Sequence, residues 1–560
     1  MSTTISPRDP DTVMKLARLG SFHQSRLSFM RQLLRRLKSE AWSFERHAFE
    51  IDARGVGHAV YTAHGPAHSY SLVAFANDLP PEKRSDRVIA TEWDATFTLF
   101  DGIPTQADIT RLRNNVPRQE AGRVSDRELS LSRANRSVRL WDHVVDALSQ
   151  GRQPDADKVD AVGYLMRTTA VYGSGKFGAA DREQTAHRDE CRGPFQVEML
   201  SVYLTRAFVM DLVEHMAHAR APDRAVKLDP ALRRRFGIGN STGLGMAPFL
   251  VTHPALLNSW IAAREEALAR VRSLPEATAQ EAERFRRYVS RATVHAEAWH
   301  SEHPLQIAKL EALRADMAAL SSHLIDADLT AKQPWNRLWH WAEGHLSPEG
   351  QEQLASLLME PYGDLVDPLC CCMAADEVAT FAIDGAMSLT RLRAILEDVY
   401  RWALETDWTD PATHARVWYT SEEKLEPRLG ERFEEPIEPY EQPLGPGRDA
   451  ARLHAALENA ADSTVAGFLL RHPEHRAITR RAQIAARLPY AEIRDNTLAA
   501  DMLPIDMLRL KLSFFGACHF DPRSDRWLRI NMFQHAPFPQ ELATGDADDW
   551  TLPPLPLAAQ

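Results

Sequence analysis

The chain has 560 residues, of which 44% are hydrophobic and 26% are charged, and its formal net charge is -11. This composition is close to the average of globular proteins and excludes disorder as the main state. The acidic balance disfavours a nucleic-acid-binding protein, which needs a basic face to contact phosphates. Five cysteines, three of them consecutive, make no disulfide framework, and neither a signal peptide nor an apolar run of membrane-spanning length is evident. We therefore expect a cytoplasmic protein that binds neither nucleic acid nor membranes.

The first hundred residues predict a helix followed by a small antiparallel sheet. Apolar residues recur at helical spacing within residues 12–39. Residues 44–101 then show partial alternation and many aromatics, in short runs separated by glycine, proline and Asn-Asp pairs. The short spacing leaves no room for crossover helices, so we expect three or four strands in an antiparallel meander.

Helical patterns dominate from residue 103 to residue 420. Thr105 precedes a periodic run and is expected to cap a helix. The stretch that ends near Val213 is apolar on nearly all sides, which is typical of a buried central helix.

The last quarter of the chain predicts a linker, further helices and a hairpin. Residues 421–448 are rich in proline, glutamate and glycine and are expected to be extended. Helical patterns resume at residue 449, and residues 513–533 resemble a β-hairpin. Because an isolated hairpin is marginally stable in water, we expect it to pair with the strands of residues 44–101.

These patterns predict a mainly α protein with a small antiparallel β-sheet (α+β), in which a C-terminal hairpin joins the N-terminal meander. The predicted domains are an N-terminal helix and sheet (1–102), a helical core (103–420), the extended linker (421–448), and C-terminal helices with the hairpin packed on the N-terminal sheet (449–560).

Three polar stretches have compositions that suit an anion site. The first is "YGSGKFGAADRE", residues 172–183, whose glycine spacing differs from that of a nucleotide phosphate loop. Gly175 would let backbone N–H groups face an anion, and Lys176 and Arg182 could add positive charge. The alternative is a helix C-cap followed by a loop.

The second stretch is "RLRNNVPRQEAGR", residues 111–123, which contains Arg118, Glu120 and Arg123. Arginine binds carboxylate or phosphate through two parallel hydrogen bonds, and amide side chains can orient such a ligand. The alternative is a surface loop with solvated ion pairs.

The third stretch is "GIGNSTGLGMAPF", residues 237–249, in which four glycines surround Asn240, Ser241 and Thr242. Small polar side chains in a glycine turn offer hydrogen bonds while the backbone approaches a ligand closely. The alternative is a wide turn between helices.

No cofactor is predicted, although a divalent metal is compatible with one helix face. Asp211, Glu214, His215 and His218 follow each other at i, i+3, i+4 and i+7, and these side chains can bind zinc or iron. The alternative is a polar face at a helix C-terminus. Cys191 lies among basic residues that could lower the pKa of its thiol, or it is an inert surface cysteine.

We expect a cytoplasmic enzyme for a small anionic organic substrate, either carboxylated or phosphorylated, with lyase, transferase and hydrolase left open. The predicted catalytic residues are Glu120 and His187, one of which would transfer a proton. The predicted substrate-binding residues are Arg118, Arg123, Gly175, Lys176, Arg182, Asn240, Ser241 and Thr242. The alternatives are a non-catalytic helical interaction scaffold and a metalloenzyme, and a homo-oligomer is compatible with all three. The enzyme hypothesis requires that the three polar stretches meet at one site.

Overall fold

The computed structural model describes most of the chain. The described residues are 5–80, 82, 92–115, 125–168, 185, 187–242, 254–299, 304–373, 381–409, 418–420, 425–427, 445–461, 463–493, 509–517, 519–521, 528–545 and 550.

Most of the regular structure is helical. The α-helices of the described residues are α1 (Pro10–Val13), α2 (Phe29–Ser39), α3 (Gln106–Asn115), α4 (Trp141–Ser149), α5 (Ala156–Val162), α6 (Gln196–Arg220), α7 (Pro230–Arg234), α8 (Pro254–Arg272), α9 (Ala279–Ala298), α10 (Pro304–Asp326), α11 (Pro334–His345), α12 (Pro348–Leu358), α13 (Gly363–Val366), α14 (Leu389–Val399), α15 (Arg401–Leu404), α16 (Gly445–Glu458), α17 (Val465–Arg471) and α18 (Arg476–Arg487). Short 3₁₀ turns lie at Leu16–Arg18, Asp189–Cys191, Asp367–Cys372, Pro473–His475 and Pro539–Glu541, and a π-helical turn lies at Lys511–Phe515.

The strands form one large sheet and one separate pair. They are β1 (Ser43–Ile51), β2 (Gly57–His64), β3 (Ser69–Ala76), β4 (Ala95–Asp101), β5 (Glu128–Arg136), β6 (Tyr164–Thr168), β7 (Gly237–Thr242), β8 (Trp418–Thr420), β9 (Leu425–Pro427), β10 (His519–Asp521) and β11 (Leu528–Met532). Within the described residues, nine strands pair in the order β1-β2-β3-β4-β5-β6-β7-β11-β10, and β8 pairs with β9. All neighbours in the large sheet are antiparallel except β6 and β7, which run parallel.

Both faces of the central strands are covered by helices. α6 packs against β2 to β5 on one face, and Phe208 makes edge contacts there with Tyr61 and Phe97. On the other face α3 buries Ile109 and Leu112 against residues of β2 to β5. Strands enclosed in this way are almost wholly buried, which explains their apolar runs. α6 is buried through Val213, as the sequence predicts.

A mainly α fold with a β-sheet is confirmed, but the prediction of a small antiparallel sheet is wrong. The sheet is large and mixed, because β5, β6 and β7 come from the part of the chain that was predicted to be helical. The sequence of β7, "GIGNST", has the composition of a turn, yet packing requires a glycine at one of its positions, Gly239. A Cβ on Gly239 would lie 2.7 Å from the ring of Tyr164, so only glycine lets β6 and β7 pair at this register.

The predicted hairpin is confirmed, but its predicted partner is wrong. β10 and β11 pair with each other, and β11 pairs with β7 rather than with a strand of residues 44–101. The hydrophobic content of the hairpin does not by itself predict which side of the sheet the hairpin extends. Here β11 places the buried side chains of Ile530 and Met532 beside β7, at the far side of the sheet from β1.

Several local predictions can be compared directly with the structure. Thr105 caps α3, since its hydroxyl accepts the backbone N–H of Asp108 at 3.2 Å. Residues 12–39 do not form one helix but a 3₁₀ turn, an irregular segment and α2. The helices predicted after residue 449 are present as α16 to α18. No helix in the described part of the chain is both long and apolar enough to cross a bilayer.

Candidate functional site

Two parallel strands end side by side at one edge of the sheet. β6 ends at Thr168 and β7 at Thr242, and because these strands share a direction, their carboxyl ends lie on the same side. β11 begins on this side, with Leu528 opposite Thr242. Crevices at the carboxyl ends of neighbouring parallel strands are frequent ligand sites in α/β proteins. We call this side, where the carboxyl ends of the inner strands β6 and β7 lie, the carboxyl edge; the term does not refer to the outer strands of the sheet.

Asn240 and Lys511 meet inside the protein near the carboxyl edge. Nζ of Lys511 donates to Oδ1 of Asn240 at 2.9 Å, and Nδ2 of Asn240 donates to the carbonyl of Thr168 at 2.9 Å. Asn240 is fully buried and Lys511 is only 1% exposed. Lys511 opens the π-helical turn, a rare backbone form that is frequent at functional sites.

Burial lowers the pKa of Lys511 well below its usual value, because the ammonium group loses its hydration. The surroundings are aromatic, with the ring centre of Phe515 at 5.9 Å from Nζ and the rings of Phe29 and Phe195 packed on Phe515. A buried amine in apolar surroundings has a lowered pKa and is more easily deprotonated. A neighbouring anion would raise that pKa again and favour the protonated form. The arrangement therefore suits a group that changes charge when an anion binds.

His187 is the predicted catalytic residue that falls within the described part of the chain. It lies exposed in a turn, and the next residue, Arg188, binds both carboxylate oxygens of Asp101 at 2.8 and 2.7 Å. These hydrogen bonds lower the pKa of Asp101. Asp101 ends β4 near Glu128, the first residue of β5, whereas Thr168 at the end of β6 pairs with Ala134, six residues further along β5. His187 is therefore displaced from the carboxyl edge both along the strands and across the sheet, since β4 lies three strands from β7.

A carboxylate and an imidazole that the sequence does not single out meet beside His187. Glu190 accepts the backbone N–H groups of Ala67 and His68 at 2.7 and 2.9 Å and the hydroxyl of Tyr70 at 3.1 Å. One of its oxygens lies 2.6 Å from Nδ1 of His68, whose side chain is 42% exposed. The same contacts fix the turn between β2 and β3 to the 3₁₀ turn of Glu190, so we assign this carboxylate a structural role. The two residues are 122 positions apart, and no local pattern could have linked them.

The thiol of Cys191 is not activated by its basic neighbours. It is partly buried, and Sγ lies 3.4 Å from the hydroxyl of Tyr70. Burial raises the pKa of the Cys191 thiol despite the nearby charge of Arg188. A nucleophilic role for this cysteine is therefore not favoured.

The remaining predicted site residues divide into two groups. Ser241 and Thr242 belong to β7 through their backbone, so they lie in a strand and not in a glycine turn. The other predicted residues lie outside the described residues: Arg118, Glu120, Arg123, Gly175, Lys176 and Arg182.

A separate cleft of about 990 Å³ lies between β1, the C-terminal half of α6, the segment that leads into α7, and the turn at Pro539–Glu541. Apolar walls are provided by Phe44, Phe49, Leu204 and Phe538, and charged residues lie among them. Its size is in the range of small-molecule sites. The cleft contains the whole helix face that the sequence offers as a metal site.

Arginine side chains pair with the carboxylates of that helix face. Asp211 accepts Nη2 of Arg233 at 3.1 Å, and Glu214 accepts Nη1 of the same arginine at 3.4 Å. His215 lies 3.0 Å from the carbonyl of Asp52 through Nε2, and His218 is exposed. Among the described residues, no group of three His, Cys, Asp or Glu side chains is arranged to hold a metal ion. Arg233 lies between the two carboxylates, where a shared cation would have to bind.

Comparison with known proteins gives no match: neither a family model, nor a curated protein, nor a solved structure matches this chain.

Proposed function

We propose that the protein is an enzyme for a small organic anion, a carboxylate or a phosphate ester, that binds at the carboxyl edge beside Lys511 and Asn240. The observation that carries this proposal is the enclosed amine of Lys511, held 2.9 Å from Oδ1 of Asn240 where two parallel strands end. A buried lysine with a lowered pKa is uncommon outside functional sites, because its burial destabilises the fold.

The direction of the strands supports a common location for two of the three polar stretches. Residues 172–183 follow β6, which ends at this edge. Residues 237–249 begin as β7, which ends there too. Residues 111–123 precede β5, which begins at Glu128, six residues before Ala134 pairs with Thr168 of β6. Residues 172–183 and 237–249 are therefore joined to the carboxyl edge by described strands, whereas residues 111–123 are not.

This arrangement favours an enzyme over a helical scaffold. In a scaffold, polar loops are expected to be distributed over the surface, whereas here two segments about 70 residues apart in the sequence are joined to one edge. Arg118, Arg123 and Lys176 remain the predicted anion contacts from the polar stretches, and Glu120 or His187 remains the predicted proton-transfer residue.

Ligand-dependent thermal stability tests the proposal. We expect at least one anion from a panel of acetate, succinate, citrate, inorganic phosphate and glycerol phosphate to raise the melting temperature. A ligand at a hundredfold excess over its Kd stabilises the folded state by about 2.7 kcal/mol. In Lys511→Met the shift should be lost, because the side chain keeps its volume but cannot become a cation.

Lys158→Met is the matched control, since Lys158 is an exposed lysine on α5. This variant should respond to the panel as the wild type does. If no anion stabilises the wild type, or if Lys511→Met and Lys158→Met respond equally, the proposed site is wrong.

A further inference from the structure

The cleft beside α6 offers a second site, which does not depend on the function proposed above. At its centre the carboxylate of Asp211 accepts three hydrogen bonds. Oδ2 accepts the hydroxyl of Tyr61 at 2.7 Å and Nη1 of Arg46 at 3.2 Å, and Oδ1 accepts Nη2 of Arg233 at 3.1 Å.

The three side chains that donate to Asp211 differ in burial and in the number of hydrogen bonds that hold them. Tyr61 is 6% exposed, and the side chain of Arg233 is 22% exposed and also bonds Glu214. The side chain of Arg46, by contrast, is 55% exposed and makes a single hydrogen bond to the carboxylate. An ion pair this exposed contributes little to stability, so Arg46 can leave Asp211 at small cost.

The guanidinium of Arg46 shows which chemistry this position accepts. It lies on the carboxylate of Asp211 and over the ring of Phe49, with its central carbon 5.3 Å from the ring centre. A carboxylate and an aromatic face together are a recognition site for organic cations. A second guanidinium in the same cleft, that of Arg233, is stacked on Phe538 at 4.8 Å.

The charges of the cleft favour a cation over an anion. Its lining contains four carboxylates and three cationic side chains, Arg46 included, besides two histidines. If Arg46 leaves, four carboxylates face two cations, and the vacated position is next to Asp211. Phe44, Leu204 and the ring of Phe538 supply apolar surface for the body of a ligand.

We propose that the cleft binds an organic cation, a guanidinium or primary ammonium group on an apolar chain, which takes the place of the Arg46 guanidinium between Asp211 and Phe49. Arg46 then acts as an internal competitor for the ligand. Removal of this arginine should therefore strengthen binding, whereas a purely structural ion pair predicts no effect on any ligand.

Isothermal titration calorimetry with hexylguanidinium and hexylammonium tests this site, with hexanoate as the ligand of opposite charge. We expect both cations to bind and hexanoate not to bind. Arg46→Ala should bind the cations about three- to tenfold more tightly, and Asp211→Asn at least tenfold more weakly. Phe49→Leu, which changes only a partly exposed ring, should weaken binding of hexylguanidinium and serves as the second variant if Asp211→Asn does not fold.

Arg54→Ala is the matched control, because Arg54 lies in the β1–β2 turn, is 73% exposed and does not line the cleft. Its affinity should equal that of the wild type. The proposal is overturned if neither cation binds, if hexanoate binds as tightly as the cations, or if Arg46→Ala leaves the affinity unchanged or weakens it.

Discussion

The buried amine of Lys511 should be visible in the pH dependence of stability. In the unfolded chain its pKa is about 10.4, whereas burial lowers the pKa in the folded protein. Between these two values the unfolded state binds one more proton than the folded state. The contribution of Lys511 to the free energy of unfolding therefore rises with pH by at most about 1.4 kcal/mol per unit, and it is constant above about pH 10.4.

Urea unfolding of the wild type and of Lys511→Met, measured at several pH values between 6 and 10, isolates this contribution. The variant should be the more stable protein at the low end of the range, because it has no ammonium group to bury. The difference should shrink as the pH rises. Parallel curves over the whole range would mean that Lys511 keeps an ordinary pKa in the folded protein.

Single residues differ in how clearly the sequence indicates their role. Asn240 can be selected from sequence because polar residues among glycines are unusual. Lys511 was missed, although a lone lysine in the apolar run "LKLSFF" is a signal of a buried charge. Glu190 and His68 carry no such signal, since their contact exists only after β3 and the 3₁₀ turn have come together.

At the scale of elements, Arg8 fixes the N-terminal segment to two helices. It donates to Glu265 on α8 through Nε and Nη2, both at 2.7 Å, and to Glu352 on α12 through Nη1 and Nη2 at 2.7 and 3.0 Å. Both carboxylates are completely buried. We expect Arg8→Met to lower the free energy of unfolding by about 3–5 kcal/mol, because it leaves buried carboxylates without their main partner.

The double variant Arg8→Met/Glu265→Gln distinguishes two causes of the expected loss of stability: the buried charge left without its ion-pair partner, and the lost packing of the Arg8 side chain. Without Arg8, Glu352 keeps a close pair with Arg264, whereas Glu265 keeps only a contact at 3.9 Å with the same arginine. Glu265→Gln therefore removes the buried negative charge that Arg8→Met leaves less well compensated. Urea unfolding should show the double variant to be more stable than Arg8→Met alone. Equal or lower stability of the double variant would show that packing of the arginine, and not charge compensation, accounts for the loss.

Elements were predictable where a local pattern agreed with the tertiary contacts. The apolar residues on nearly all sides of α6 and the aromatic runs of β2 to β4 reflect surfaces that are in fact buried. β7 was not predictable, because its glycines and hydroxyl residues resemble a turn and it becomes a strand only through pairing with β6 and β11. The sequence spacing on α6 likewise does not show that Arg233, on another element, pairs with both of its carboxylates.

For the whole molecule, long-range pairing decides what lies at the carboxyl edge. β7 pairs with β11, and the π-helical turn that precedes the hairpin brings Lys511 to Asn240 across 271 positions of sequence. A second buried cluster, made mainly by α14 to α18, also includes Ala255 of α8. α8 packs against α18, and Tyr490 adds hydrogen bonds to Asn258 and to the carbonyl of Arg8. No composition or periodicity predicts such connections, because they depend on how the elements are arranged.

The most direct test of the account is whether anion binding is coupled to proton uptake by Lys511. The panel anion with the largest thermal shift would be titrated at pH 8.5 in two buffers of different ionisation enthalpy. An anion beside the buried amine raises its pKa, so we predict net proton uptake on anion binding in the wild type, and none in Lys511→Met. Binding without net proton uptake, or with equal uptake in the two proteins, would contradict a site at Lys511.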